Sequence, residues 1–473
     1  MTPGTRTERD PLGPVEVPAG ALFGGQTQRA VLNFPISGLR PSPAFVAAIV
    51  RIKRAAARVH QGTGRLEAAS ADAIVRASDE VLAGSHAEAF VVDVYQAGAG
   101  TSLNMNVNEV LANRANELLG TPRGGYAPVH PNDHVNMAQS TNDVIPTAMR
   151  IAVVTEARAL VSSLDTLVTS LRAKASEFDG IVKAGRSHLQ DAMPIRLGQE
   201  FAAWAGTLER ARRRVEAATD DLRDIGIGGT AVGTGVNAEP VYPERMVNEL
   251  VANAGIELRL GLDPVQLMQS MGDFTAFSAA LRGVALDLSK ISSDIRLLAS
   301  GPRTGLNEIA LPAVQPGSSI MPGKINPSIP EMVNQVCYQV IGNDTTVAFA
   351  AEHGQLELNV MMPVIAHNLL QSERILANAI RVFDERCVRG IMADAAQAAY
   401  WVERSAALAT ALAPYIGYAK AAELSKESLK TGESIRELAT RLKVLPDDEL
   451  KRVLDLRAMT EIGVPGNTVG RKP

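Results

Sequence analysis

A chain of 473 residues, 46% hydrophobic and 21% charged, is long enough for two or three domains and has the composition of an ordinary globular protein. Its formal net charge of −4 leaves no basic excess, which excludes a nucleic-acid or membrane-surface binder that works through charge. Two cysteines, Cys337 and Cys387, are too few for a disulfide framework and lack metal-ligand spacing; with no signal-peptide pattern and no apolar run of membrane-spanning length, a cytoplasmic protein is expected.

Aromatic residues make up only 4%, while Ala, Leu and Val dominate, which points to tightly packed helices. The first 40 or so residues, rich in Pro and Gly, predict an irregular arm with at most a short hairpin. Helical patterning starts near Ser42 and recurs to about Leu119. The polar stretch GTPRGGYAPVHPNDHVNMAQSTNDVIPT then reads as a loop, of a length that is usually functional or disordered.

Between Phe274 and Leu298 the apolar residues Phe274, Phe277, Leu281, Val284, Leu288, Ile291, Ile295 and Leu298 are spaced alternately by 3 and 4. That is a heptad seam on a helix of about 37 Å or more. Such a helix is expected to be covered only in part by its own chain, with the seam shared between subunits. A second long helical region opens at Ser328 and Pro330 and runs toward Glu385, with a break or kink expected at Pro363. From about Gly390, shorter helical patterns interrupted by Pro414 and Gly417 predict a small helical region, and the residues after Pro465 are expected to be disordered. The reading is a mostly α fold in three domains: 1–140 mainly helical, 141–390 a long-helix bundle, and 391–473 a small helical domain.

Four segments dense in small hydrogen-bonding residues interrupt this helical background: GAGTSLNMNVNE, with Thr101, Ser102, Asn104, Asn106 and Asn108; QSTND, with Ser140, Thr141 and Asn142; GRSHLQDAMP, with Ser187 and His188; and QPGSSIMPGKINPSIPE, with Ser318, Ser319, Lys324 and Asn326. They are nearly free of carboxylates, which suits an anionic ligand. Taken singly, each hydroxyl is more often a cap or turn residue than a ligand contact, and a lone histidine is more often structural. What favours a site is that all four are expected at the edges of long helices.

Other motifs are set aside. The last segment is not a phosphate-binding P-loop, because five residues separate Gly317 from Gly323 and Ile325 stands where a hydroxyl must follow the lysine. GIGGTA at Gly226 to Ala231 formally matches a dinucleotide fingerprint, but no strand run or βαβ unit surrounds it. His130 and His134 enclose Pro131, Asn132 and Asp133, which predicts a turn rather than a metal-binding helix face. No metal or cofactor is expected, and the two cysteines read as helix-packing residues.

Together, GSSIMPGKINP, SGPRTGLNEIALP, GGTAVGTGVN and GRSHLQD resemble the sequence blocks of the aspartase/fumarase superfamily, over nearly the whole chain. The resemblance implies a mostly helical homotetramer whose central bundle carries active sites shared between subunits. It also implies elimination from a small dicarboxylate, commonly releasing fumarate. Thr101-Ser102-Leu103-Asn104 and Ser140-Thr141-Asn142 resemble the aspartase branch more than the fumarase branch, where Thr-Gln-Ser-Asn and Ser-Ser-Asn are typical. By the same resemblance, Thr101, Ser140, Thr141 and Ser319 would hydrogen-bond the β-carboxylate, and Ser102 would belong to the substrate-binding set. Lys324 and Asn326 would hold the α-carboxylate, Asn142, Ser187 and His188 would lie near the amino group, and Ser318 would be the base. Ser187 stands where that branch often has Thr, which suggests a looser pocket. Fumarate hydration, elimination from a modified aspartate and a catalytically idle homologue are the alternatives.

Overall fold

A computed structural model describes residues 4–467. An antiparallel hairpin, β1 (Thr5–Asp10) and β2 (Gly13–Pro18), opens the chain and is followed by α1 (Gly25–Asn33), α2 (Pro43–Gly62), α3 (Ala68–Leu82) and α4 (Thr101–Leu118). The long α5 (Thr141–Glu177), the antiparallel hairpin β3 (Val182–Ser187) and β4 (Gln190–Arg196), and α6 (Leu197–Asp221) come next. A short strand β5 (Asp224–Ile225) pairs in parallel with β6 (Arg259–Leu260) across α7 (Tyr242–Ala254). The chain continues through α8 (Pro264–Gln269), α9 (Gly272–Leu298), β7 (Ile309–Ala310), α10 (Ser328–Glu352), α11 (Met362–Arg386) and β8 (Met392–Ala393), which pairs with β7. It ends with α12 (Ala395–Arg404), α13 (Ala413–Ile416), α14 (Tyr418–Thr431), α15 (Ile435–Arg441) and α16 (Asp447–Val453).

These elements form two compact units, each assembled from three separate segments. The first comprises the chain up to Ser162, Ala211–Leu286 and Val336–Ala377; the second comprises Ser163–Arg210, Asp287–Gln335 and the chain from Asn378 onward. Both boundaries of every inserted segment fall within long helices, so α5, α6, α9, α10 and α11 each contribute to both units.

In the first unit, polar clamps tie helix to helix. Arg150 of α5, buried to 1%, pairs with Asp273 of α9 at 2.6 Å, donates to the Asp221 carbonyl of α6 at 3.1 Å and lies over the Phe274 ring. Ser278 and Arg282 of α9 both bind Asp344 of α10, at 2.8 and 2.6 Å, and Asn343 donates to Ser372 of α11 at 3.0 Å. In the second unit, Arg172 of α5 pairs with Glu209 of α6, and Asn334 of α10 donates to the Ser289 carbonyl and hydroxyl of α9 at 3.0 and 2.9 Å. Its C-terminal helices close over a small core that includes Leu408, Leu412, Ile435, Leu438 and Val453.

Several expectations need correction. The α9 seam, from Phe274 to Leu298, is 0–6% exposed in the single chain, so it is spent inside the protomer rather than held for a partner. The apolar residues left open on α9 and α10 are others, among them Leu286, Leu297, Tyr338 and Phe349. The interruption expected at Pro363 is a break rather than a kink: α10 ends before the turn at 353–361, and Pro363 sits in the first turn of α11, where its missing N–H costs nothing. α1 was not expected, and α5 begins at Thr141 inside the supposed loop, with Pro146 within its early turns. The disorder expected after Pro465 falls mostly on 468–473, which lie outside the described residues.

α3 and α4 are joined by an ion-pair cluster in which Arg114 grips Glu80 at 2.6 and 2.9 Å, with His86 adding a contact at 3.0 Å. The guanidinium holds the Glu80 carboxyl down to about 2, against an ordinary value of 4.5. A depressed folded-state pKa stabilises above the unfolded value and loses that stabilisation as pH falls through the folded one. Melting temperature measured between pH 5 and 2 is therefore expected to fall less steeply for Glu80→Gln than for the parent.

Candidate active site

The first unit assembles one half of the predicted residues around the N-termini of α4 and α5. The chain enters α4 through Ala99 and Gly100, both with positive φ, and the Ala99 N–H bonds to the Val360 carbonyl at 2.8 Å. A Cβ on Gly100 would meet Ile145 of α5 at 3.1 Å, so a glycine is what lets the start of α4 lie against α5. Thr101 follows and is exposed. Ser102 is buried, and its Oγ accepts the Ala97 N–H at 3.4 Å.

Ser140, Thr141 and Asn142 open α5 through reciprocal capping: Ser140 Oγ accepts from Asn142 N at 3.2 Å, and Asp143 Oδ1 accepts from Ser140 N at 2.9 Å. The other Asp143 oxygen accepts from Gly228 N and Thr230 N at 3.0 and 3.1 Å, and Asn142 donates to the Ala231 carbonyl at 2.8 Å. The glycine-rich GIGGTA segment is thus a cradle for this helix start. Against expectation a two-residue strand, β5, does precede it and pairs in parallel with β6 across α7, but the N–H groups of Gly228 and Thr230 are turned to Asp143.

Beneath these hydroxyls lies a buried polar network that sequence reasoning missed. Asn104 Nδ2 donates to Thr141 Oγ1 at 3.2 Å and to Asn136 Oδ1 at 3.3 Å; Asn108 Nδ2 reaches the same Asn136 oxygen at 3.2 Å. Lys53 of α2, fully buried, donates to Asn136 Oδ1 at 2.8 Å and Gln139 Oε1 at 2.9 Å. Burial brings the Lys53 ammonium down to about 7, against the opposing pull of Asp143, whose own carboxyl burial pushes up to about 6. The signal for Lys53 is a lysine in an otherwise apolar helical stripe, with Ile49, Ile52, Ala56 and Ala57 buried around it.

The second unit assembles the other half. Ser187 and His188 lie on a hairpin rather than a helix edge, which corrects that expectation. Ser187 pairs with Gln190, and His188 and Leu189, at φ 57° and 60°, form the two-residue turn. All three of Ser187, His188 and Leu189 are exposed. The hairpin is anchored by fully buried Glu308, which binds Lys183 and Arg186, each at 3.0 Å; Lys183 also holds Glu200 at 2.8 Å.

The segment 315–327 forms a closed loop before α10. Gly317 N donates to the Lys324 carbonyl at 2.8 Å, and Asn326 Nδ2 donates to the Gly317 carbonyl at 2.6 Å. Inside this ring, Ser318 Oγ accepts from Met321 N at 2.9 Å and from Ile320 N at 3.2 Å. Ser319 and Lys324 are exposed, and Ser318 and Asn326 are half-buried. His130 caps and His134 lies within a π-type turn, Pro131–Val135; His130 Nδ1 accepts from the N–H groups of Asn132 and Asp133, and His134 Nδ1 from that of His130. No helix among the described residues is long and apolar enough to cross a membrane.

The described fold is helical, and the exposed or half-buried groups gathered in its two units are hydroxyls, amides, an imidazole and a lysine. Comparison with known proteins agrees. A family model described as lyase matches residues 13–342, and one described as the fumarase C C-terminus matches residues 408–461. An aspartate ammonia-lyase of a Bacillus species is 46% identical over 466 residues, covering 98% of this chain and 100% of the relative. A class II fumarate hydratase of Ralstonia nicotianae is 48% identical over 439 residues, 93% of this chain and 95% of the relative. The solved structure of a fumarate lyase:delta crystallin from Brucella melitensis bound to cobalt is 50% identical, with a TM-score of 0.93 over 97% of this chain and 100% of that one. The chain belongs to the aspartase/fumarase family of lyases.

Proposed function

We propose that the chain is an ammonia-lyase that converts L-aspartate to fumarate and ammonium. The observation that carries a proton-abstracting role is the Ser318 hydroxyl, which accepts two backbone N–H bonds inside a closed loop. Both bonds strengthen when the oxygen becomes an alkoxide, so the loop favours the form of serine that can act as a base. Ser318 would take the Cβ proton, and the C–H electrons would move into the neighbouring β-carboxylate as an enediolate. Collapse of that enediolate forms the Cα=Cβ bond as the C–N bond of the protonated amine breaks, releasing ammonia, which becomes ammonium by taking up a proton, while Ser318 gives up the Cβ proton before the next turnover.

Thr101, Ser140, Thr141 and Ser319 would donate to the β-carboxylate, where neutral donors gain strength as charge develops. Lys324 and Asn326 would hold the α-carboxylate, and Asn142, Ser187 and His188 would surround the amino group. Ser102, buried and bonded to Ala97, would support the position of Thr101. The apolar residues open on α9 and α10 support a homotetramer with active sites shared between subunits. A cytoplasmic location fits two free, buried cysteines.

Relatives named for aspartate and for fumarate stand at similar identity, so fumarate hydration is the second reading. What favours aspartate is the pair of blocks around Ser102 and Thr141, which differ from the fumarase pattern. The test is to supply L-aspartate and L-malate separately and follow both the absorbance of fumarate and the release of ammonia. Equal fumarate and ammonia from aspartate with malate inert is expected; turnover of malate alone would overturn the proposal.

A further inference from the structure

A threonine hydroxyl has one proton to give, and its direction decides whether it serves substrate or protein. Thr141 Oγ1 receives an N–H from Asn104, which leaves its own proton free to point elsewhere. Asn104 can donate there only if its amide nitrogen, rather than its oxygen, faces Thr141. The same nitrogen also donates to Asn136 Oδ1, so the orientation of Asn104 follows from that of Asn136. If Asn136 turned its amide over, Asn104 would meet a donor and would be driven to turn as well. Its oxygen would then face Thr141 and draw the threonine proton inward.

Lys53 holds the oxygen side of Asn136, whose nitrogen side donates to a backbone carbonyl. The lysine amine, fully buried on the inner side of α2, presents N–H groups to two amide oxygens, donating to Asn136 Oδ1 at 2.8 Å and Gln139 Oε1 at 2.9 Å. Gln139 Nε2 is held in turn by the Val135 and Met137 carbonyls, and Asn136 Nδ2 by the Gln139 carbonyl, so both amides are locked in one sense. His60, on the same helix, binds the Met137 carbonyl at 3.0 Å and tethers the segment to α2 a second time. The carboxylate of Asp143 on α5 acts on the ammonium through space, its oxygens being engaged by the N–H groups of Ser140, Gly228 and Thr230.

We infer that Lys53 is a positioning residue for the elimination: through Asn136 and Asn104 it sets the direction in which Thr141 offers its proton to the substrate carboxylate. This rests on the reading of Thr141 as a substrate-binding hydroxyl. No atom of Lys53 need touch substrate.

A double-mutant cycle tests it, run with whichever of L-aspartate and L-malate the protein turns over. Thr141→Val removes the hydroxyl and is expected to lower kcat by about 10–10³-fold, the order found for one donor at a developing oxyanion. Lys53→Met is expected to lower kcat by about tenfold or more, with KM much less affected, because the lost interaction strengthens in the transition state. The double variant should match Thr141→Val within about twofold, since a relay that ends at Thr141 has nothing left to act on. A double variant slower than Thr141→Val by the full Lys53→Met factor would overturn the inference and leave the role of Thr141 intact. If Thr141→Val alone turned over like the parent, the reading of Thr141 itself would fail. Should Lys53→Met not fold, as judged by circular dichroism and elution volume, Asn104→Leu supplies the same cycle by cutting the relay at its next link, with the same expectation for the double variant.

Discussion

Ser318→Ala is expected to abolish nearly all elimination, lowering kcat by about 10²–10⁴-fold as for loss of a positioned general base. The substitution removes one oxygen from a half-exposed loop and leaves every backbone bond of that loop available. The N–H groups of Ile320 and Met321 belong to exposed residues and can turn to water, so the melting temperature should be unchanged. Binding of fumarate, measured by calorimetry, should also survive, because none of the groups assigned to the carboxylates is altered. Retention of the parental rate of fumarate formation would remove Ser318 from the mechanism and with it the alkoxide argument.

Gly317→Ala should be nearly as damaging, although alanine carries no new chemistry. A Cβ at position 317 would stand 2.4 Å from the Lys324 carbonyl oxygen and 2.7 Å from Asn326 N, both backbone atoms that cannot swing aside. The ring closed by Gly317 and Lys324 would have to open, shifting Ser318, Lys324 and Asn326 together. A displacement near 1 Å at reacting groups costs about 10²-fold, and here both kcat and KM should worsen because base and carboxylate ligands move at once. Gly323→Ala is the control: φ is +79°, but nothing lies within 4 Å of its Cβ, so only the left-handed backbone strain of about 1–2 kcal/mol is added. Kinetics that rank the two glycines in the opposite order would show that the loop closure is not what holds the site.

The long helices were legible because their periodicity is a local property: the α9 seam is written residue by residue from Phe274 to Leu298, and all of it is buried. What the seam packs against is not local, and the expectation of a partner subunit there failed because the chain supplies its own cover. α1 escaped notice because GQTQRAVLN is short and carries few apolar residues. The start of α5 was hidden by QSTND and Pro146, which imitate a loop; capping by Ser140 and Asp143 is what turns those polar residues into a helix start. Ser318, Lys324 and Asn326 could be singled out from one short segment because a single loop carries them. Lys53 carries only a weak local signal, its place in an apolar helical stripe, because the partners that close over it, Asn136 and Gln139, lie over eighty residues later.

The interleaving of segments sets an order for biosynthesis. The first unit needs the stretch that ends at Ala377, and the second needs the chain beyond Asn378, so neither can be completed while most of the polypeptide is still being translated. At about 5–20 residues per second, the emerging N-terminal helices must wait with apolar faces uncovered until their distant partners leave the ribosome. No single cut along the gene would release either unit as an intact fragment. Selection on this chain therefore acts on the nascent state as well as the finished enzyme, and substitutions that leave activity alone can still reduce how much protein reaches it.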